Sequence, residues 1–243
     1  MMELMKHPDM VYFMESLSEF GIELSPVQME QFMSYYELLI EKNKVMNLTA
    51  ITELREVIVK HFVDSLALIR VYSLKNENLI DIGTGAGFPG IPLKIVYPDI
   101  NLTLFDSLKK RLNFLDEVIM KLNLSKVTTL HGRAEDFGRN PQYREKYDLC
   151  VSRAVAKLPV LLELCMPFVK KGGYFVSYKS GNIDEEIDLA KNAFKILKSE
   201  ISKKDVFALP QTDMQRSLLL VKKLDNTPRT YPRLPAKIEK NPL

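Results

Sequence analysis

Leu79-Ile80-Asp81-Ile82-Gly83-Thr84-Gly85-Ala86-Gly87-Phe88-Pro89-Gly90 is a short apolar run that breaks into a glycine-rich turn and continues into Ile91-Pro92-Leu93. An apolar run of this length bounded by glycine reads as a buried strand, and the turn after it reads as a strand-to-helix connection that binds a ligand through close backbone approach. A dinucleotide fingerprint has its third glycine where Phe88 stands; here it falls at Gly87. Asp81 is expected at the mouth of the turn, where a carboxylate repels a diphosphate that needs positive potential and free N–H donors. S-Adenosylmethionine has no phosphate, and its ammonium and sulfonium make an acid there favourable. Asp81, Gly83, Thr84, Gly85, Gly87 and Phe88 are therefore the first candidate cofactor-binding residues.

From Leu79 onward, apolar runs alternate with helical patterns: Leu79-Ile82, Asn101-Phe105, Val127-His131, Asp148-Ser152 and Tyr174-Tyr178. That texture predicts parallel βαβ units. Asp205-Leu209 and Leu218-Lys222 are too close for a crossover helix and should pair as an antiparallel hairpin. Upstream, Ser25-Pro26 with Gln28 predicts a capped helix running to about Asn43, flanked by helical segments at 11–20 and 53–71. The expected organisation is a helical cap over 1–75, the α/β domain over 76–225, and a basic, proline-rich, extended C-terminal tail over 226–243. A seven-stranded, mostly parallel sheet ending in such a hairpin resembles the Rossmann-like, class I S-adenosylmethionine-dependent methyltransferases.

The composition is that of a globular chain, with 46% hydrophobic and 27% charged residues and a formal net charge of +3. That charge is too small to indicate a nucleic-acid partner unaided, so local basic clusters must carry any such reading. Glu3, Lys6, Pro8 and Asp9 interrupt the apolar stretch that a secretory signal or membrane span requires, so a cytoplasmic protein is expected. Cys150 and Cys165 lack metal-ligand spacing and read as core thiols; no metal is expected.

Asp106 closes the second strand near the roughly 20-residue offset at which an acid of this fold accepts from ribose hydroxyls. Ala134-Glu135-Asp136 follows the third strand, where either acid could meet an adenine amino group. At the end of the fourth strand, Ser152-Arg153-Ala154-Val155 stands where an exocyclic-amine methylase carries Asn/Asp-Pro-Pro-aromatic. Neither cysteine has the setting of a nucleophile for carbon methylation. A ring nitrogen such as guanine N7 has a free lone pair and needs no general base. Arg153 would then position the base or an adjacent phosphate; its alternative is an ion pair with Glu135 or Asp136. His61 and Asp64, three apart on a helix, could pair or face the cleft.

These motifs resemble the bacterial small-subunit ribosomal RNA methyltransferase G family, also called glucose-inhibited division protein B. The likeness spans nearly the whole chain. It rests on Asn43-Lys44, Asn47-Leu48-Thr49, His61-Phe62-Val63-Asp64-Ser65-Leu66, Gly87-Phe88-Pro89-Gly90-Ile91-Pro92, Asp106-Ser107 with Lys109 and Arg111, Arg133-Ala134-Glu135 and Ser152-Arg153-Ala154. The resemblance implies N7 methylation of a guanine in 16S ribosomal RNA, with a small ribosomal subunit or assembly intermediate as partner. It also implies Gly83, Phe88, Ala134, Glu135 and Arg153 as cofactor-lining residues, with Ser107 beside Asp106. The chain departs at Leu234-Pro235-Ala236, where related proteins commonly carry glycine.

Candidate RNA contacts are Lys109, Arg111, Arg133, Lys179, Arg229 and Arg233, with Lys110, Lys170 and Lys171 in the same clusters. A monomer is expected. The competing readings are a 2′-hydroxyl methylase using Lys179 with Asp148 or Glu135 as base, a non-catalytic RNA-binding module, and a dinucleotide oxidoreductase.

Overall fold

The computed structural model describes residues 7–243; Glu3 and Lys6, which entered the expectation about secretion, lie outside them. In chain order the elements are α1 (Pro8–Ser18), α2 (Pro26–Met46), α3 (Leu54–Val57), a π-helical turn (Ile58–Val63), α4 (Asp64–Leu66) and a 3-10 turn (Ala67–Arg70). Then come β1 (Asn78–Ile82), α5 (Gly90–Val96), β2 (Asn101–Asp106), α6 (Lys109–Lys121), β3 (Val127–His131), α7 (Ala134–Phe137), β4 (Tyr147–Arg153) and α8 (Leu158–Cys165). The chain finishes with β5 (Val169–Ser180), α9 (Asp184–Leu189), α10 (Lys191–Ile196), β6 (Ser199–Ala208), β7 (Gln215–Lys223) and α11 (Pro235–Lys240).

The strands form one seven-stranded sheet in the order β3-β2-β1-β4-β5-β7-β6. The first five pair in parallel, and β7 runs antiparallel between β5 and β6. The strand order reverses between β1 and β4, so a crevice opens beyond their carboxyl ends, the place where ligands bind in open α/β sheets.

Alternation along the strands divides the core in two. Leu79, Leu102, Leu104, Leu149, Val151 and Val176 face one side, with α1, α2, α5 and α6 packed on them. Ile80, Ile82, Phe105, Cys150 and Phe175 face the other, under α8 and α10. The N-terminal helices join the first side through an aromatic cluster: Phe13 against Phe32 at 5.0 Å between centroids, and Tyr35 against Phe62 at 5.7 Å and Phe88 at 5.3 Å. Full burial of each ring contributes roughly 1.5–3 kcal/mol, which fixes these helices beside the glycine turn.

Ser25 and Gln28 form the reciprocal capping box expected of them. The helix continues to Met46 and ends where Asn47 adopts φ 50°. The span expected as one helix over 53–71 is instead a succession of α, π and 3-10 turns. The tail is not extended throughout: Pro235 starts α11 at a first-turn position that needs no N–H. Arg144 fastens the preceding segment, donating to the carbonyls of Thr227 at 2.6 Å and Tyr231 at 2.9 Å. Among the described residues no helix is long and apolar enough to cross a membrane.

Candidate functional site

The glycine turn uses its own amides. Gly83 N and Thr84 N donate to the Phe105 carbonyl at 2.9 and 3.1 Å, and Gly87 N and Phe88 N to the Thr84 carbonyl at 2.8 and 3.0 Å. Gly85 N donates to Asp106 Oδ2 at 2.9 Å and Gly90 N to Asp81 Oδ2 at 3.0 Å. A diphosphate-binding turn needs such N–H groups free and convergent; here they hold the turn to β2 and to two carboxylates. Gly83 has φ +73°, and a Cβ there would lie 2.4 Å from Val155 Cγ2. Gly87 has φ +101°, and its absent Cβ makes room for the Tyr35 hydroxyl and Ile91. Phe88 is core, stacked on His61 with centroids 4.5 Å apart.

Asp81 lies beneath the turn and not at its mouth, because strand alternation sends its side chain into the layer of Leu79. It is fully buried. Oδ2 accepts from Thr84 Oγ1 at 2.7 Å and from Gly90 N, while Oδ1 has no partner. Desolvation raises its pKa to about 6. Thr84 is buried with it.

Beside the turn lies a cavity of about 950 Å³. From the sequence-predicted set it gathers Gly83, Asp106, Ser107, Ala134 and Glu135, with Arg111 and Arg133 at the same wall. Asp106 Oδ1 accepts from Leu108 N at 2.9 Å, and Arg111 Nη1 stands 3.4 Å from Oδ2. Arg133 Nη2 donates to Glu135 Oε1 at 3.0 Å. Val155, Pro159, Val160 and Leu164 give the cavity an apolar stretch of wall, beside the charged Lys157 and Glu239. Two carboxylates facing an apolar wall suit a nucleoside, whose ribose hydroxyls donate and whose base faces are apolar. The bare Gly83 backbone gives its substituent a close approach.

Arg153 lies in a second cavity of about 470 Å³, which shares Ala154 and Ala156 with the first. Ala154 has φ +58°, a conformation costly for a residue with a Cβ, and it turns the chain between the two spaces. Ser152 Oγ ties β4 to the Ile82 carbonyl at 2.8 Å. The carboxylate partner of Arg153 is Asp64, at 2.8 Å from Nη1, and not Glu135 or Asp136. Those two follow β3, which β2 and β1 separate from β4, whereas the π-helical turn brings the Lys60 carbonyl, and Asp64 directly after it, over the β4 end. Arg153 Nη2 lies 3.2 Å from His61 Nδ1. Nδ1 also lies 3.1 Å from the Lys60 carbonyl and Nε2 3.0 Å from Thr49 Oγ1, so both ring nitrogens are engaged whichever of them carries the proton. Burial and the neighbouring Arg153 lower the His61 pKa to about 3. Thr49 N is in turn held by Asn43 Oδ1 at 2.9 Å.

Arg216, which belongs to none of the motifs above, completes this site. Its Nε donates to Asp64 Oδ1 at 3.1 Å, and the antiparallel register sets it opposite Ser180. The one available signal is a cation opening the otherwise apolar run Leu218-Leu219-Leu220-Val221. Lys179 lines the same cavity, with Nζ bonded to the Ala156 carbonyl at 2.8 Å and Glu186 Oε2 at 2.7 Å. Asp148, offered as a base with Lys179, sits at the opposite end of β4 and is paired with Lys170 and Asn78.

Lys109 and Arg229 are exposed. Arg233 is instead bound to Glu163, with Nη2 to Oε2 at 2.6 Å and Nε to Oε1 at 2.8 Å. Both cysteines are buried, and burial pushes the Cys150 thiol up, away from thiolate chemistry. Among the described residues no group of His, Cys, Asp and Glu could hold a metal ion.

The family model described as rRNA small subunit methyltransferase G matches residues 28–218. The chain is 54% identical over 232 residues to the Ribosomal RNA small subunit methyltransferase G of Lachnoclostridium phytofermentans, covering 95% of this chain and 96% of that one. It is 49% identical over 240 residues to the protein of the same name from a Thermoanaerobacter species, covering 98% and 100%. Among solved structures it is similar to TYW2 of M. jannaschii in complex with AdoMet, with a TM-score of 0.50 and 16% identity over 63% of this chain and 71% of that one. At that identity the likeness shows the fold alone.

Proposed function

The chain belongs to the rRNA small subunit methyltransferase G family, and from that membership we propose that it transfers a methyl group from S-adenosylmethionine to N7 of a guanine in 16S ribosomal RNA. The first cavity takes the adenosyl part, with Asp106 accepting from the ribose and Ala134-Glu135 meeting the adenine edge. The second cavity takes the guanine, and the methyl passes between them near Ala154. Bound S-adenosylmethionine supplies an electrophilic methyl already activated by the sulfonium. The chain's part is alignment and exclusion of water. Arg153, held by Asp64 and the Lys60 carbonyl, orients the guanine or its phosphate; Arg216 and Lys179 add positive potential for the RNA backbone.

The observation that carries the N7 reading is that the ionisable groups lining the second cavity are already engaged. His61 has both ring nitrogens engaged, Asp64 is held by two arginines, and Lys179 is paired with Glu186. The Tyr178 hydroxyl donates to the Ser65 carbonyl at 2.8 Å. A 2′-hydroxyl or exocyclic amine acceptor asks the site to take up a proton; guanine N7 does not. A cytoplasmic, monomeric enzyme acting on the small subunit or an assembly intermediate completes the proposal. Unmodified small subunits incubated with labelled cofactor, then digested and analysed by mass spectrometry, should yield 7-methylguanosine. A methyl on a ribose or an exocyclic amine contradicts this reading.

A further inference from the structure

The first cavity is not built from the sheet edge alone. Pro235, Ile238, Glu239, Pro242 and Leu243 line it together with the Ala134-Glu135 turn. The segment that carries them is pinned by one guanidinium at both ends. Arg233 N, Nε and Nη2 donate to the fully buried Glu163 on α8, and Nη2 also donates to the Asn241 carbonyl at 3.0 Å. Arg139 Nε adds a bond to the Pro232 carbonyl at 2.8 Å. Within this strap Ile238 is 2% exposed, whereas its neighbour Leu234 is 57% exposed.

Resting on the assignment of the first cavity to the adenosyl group, we propose that residues 235–243 are cofactor-contact residues, with Pro235 and Ile238 closing over the adenine face. The geometry gives this strap two consequences. The apolar groups of the strap, with Val160 and Leu164 of the same cavity, suit the faces of a flat aromatic base and leave its edge to Ala134-Glu135, favouring an adenosyl group over a smaller ligand. Because the strap is anchored by Glu163 and not by a long helix, ligand that packs against it also orders it.

Calorimetric titration with S-adenosylhomocysteine, together with amide hydrogen exchange of residues 235–243, tests the assignment. Ile238→Asn should bind about tenfold more weakly by placing an amide in the apolar wall, with Leu234→Asn unchanged as a control on the same strap. Exchange over 235–243 in the unaltered protein should slow on saturation. Wild-type binding with equal affinity in Ile238→Asn, or exchange at 235–243 indifferent to ligand, overturns the strap's role while leaving the cofactor assignment standing. If Ile238→Asn does not fold, the wild-type exchange decides alone. Failure of the unaltered protein to bind S-adenosylhomocysteine at all overturns both.

Discussion

Arg153 Nη1 donates to Asp64 Oδ2 across 2.8 Å, tying the end of β4 to the helical segment that precedes the sheet. Both partners are largely buried, with side-chain exposures of 13% and 8%. The pair is therefore a fixed part of the second cavity and not a surface contact, which bears on how its loss should read out.

Arg153→Ala should reduce methyl transfer by roughly 100-fold or more through lost alignment. Removing one member of a buried pair costs about 3–5 kcal/mol when the other charge is orphaned. Asp64 retains Arg216, so the expected loss of stability is smaller, about 1–3 kcal/mol. Arg153→Lys should not rescue activity, because one ammonium cannot reproduce the separate contacts to Asp64, the Lys60 carbonyl and His61. Single-turnover rates and urea denaturation of the same variants check both halves; wild-type activity in Arg153→Ala contradicts the positioning role.

Gly83→Val should abolish measurable cofactor binding, since the left-handed φ strains the backbone and the side chain meets Val155. In Gly83→Ala the strain remains, about 1–2 kcal/mol, alongside the contact with Val155. Adding Val155→Ala should therefore restore part of the affinity lost in Gly83→Ala, measured by titration. Full restoration or none means the cavity wall is not formed as described.

Asp81 makes stability depend on pH in an unusual direction for a carboxylate. Burial raises its folded pKa from 3.8 to about 6, so between those values the folded chain holds a proton that the unfolded chain has released. Its contribution to stability is therefore full below about pH 4 and is lost as pH rises through about 6; the shift corresponds to roughly 3 kcal/mol. Asp81→Asn should remove this dependence, so that the stability of the variant relative to wild type improves from pH 4 to pH 7. A pH-independent difference in denaturation midpoints means Asp81 stays ionised throughout.

The salt dependence of RNA affinity should separate free from committed cations. Neutralising a residue that contacts phosphate lowers the salt slope by about 1. Arg229→Ala and Lys109→Ala, at exposed positions, are expected to do so. Arg233→Ala should leave the slope unchanged and instead cost about 3–5 kcal/mol of stability by orphaning the buried Glu163. A reduced slope for Arg233→Ala with unchanged stability returns it to the RNA-contacting set.

What was legible in the sequence follows the range of the forces involved. Strand periodicity and the glycine turn are local, and they located the sheet, its closing hairpin and the first cavity through Gly83, Asp106 and Glu135. The side on which Asp81 points is set by the pleat of β1 and is not legible from the turn motif. Arg153 was legible as a site residue, but its partner was not: Asp64 lies 89 residues away and arrives through a π-helical turn that apolar spacing does not reveal. Arg216 and the Glu163–Arg233 pair were invisible for the same reason, since an antiparallel register and a folded-back strap bring them into place. A run of prolines and cations in the tail looks extended when nothing in the sequence shows the buried carboxylate that receives it.

A crystal structure with S-adenosylhomocysteine tests the central claim most directly. The ribose hydroxyls should lie within hydrogen-bond distance of the Asp106 carboxylate, the adenine between Ala134-Glu135 and Ile238, and the sulfur near Ala154 facing Arg153 in the second cavity. An adenosyl group bound elsewhere, or a cavity that takes up a diphosphate against the glycine turn in its place, contradicts it.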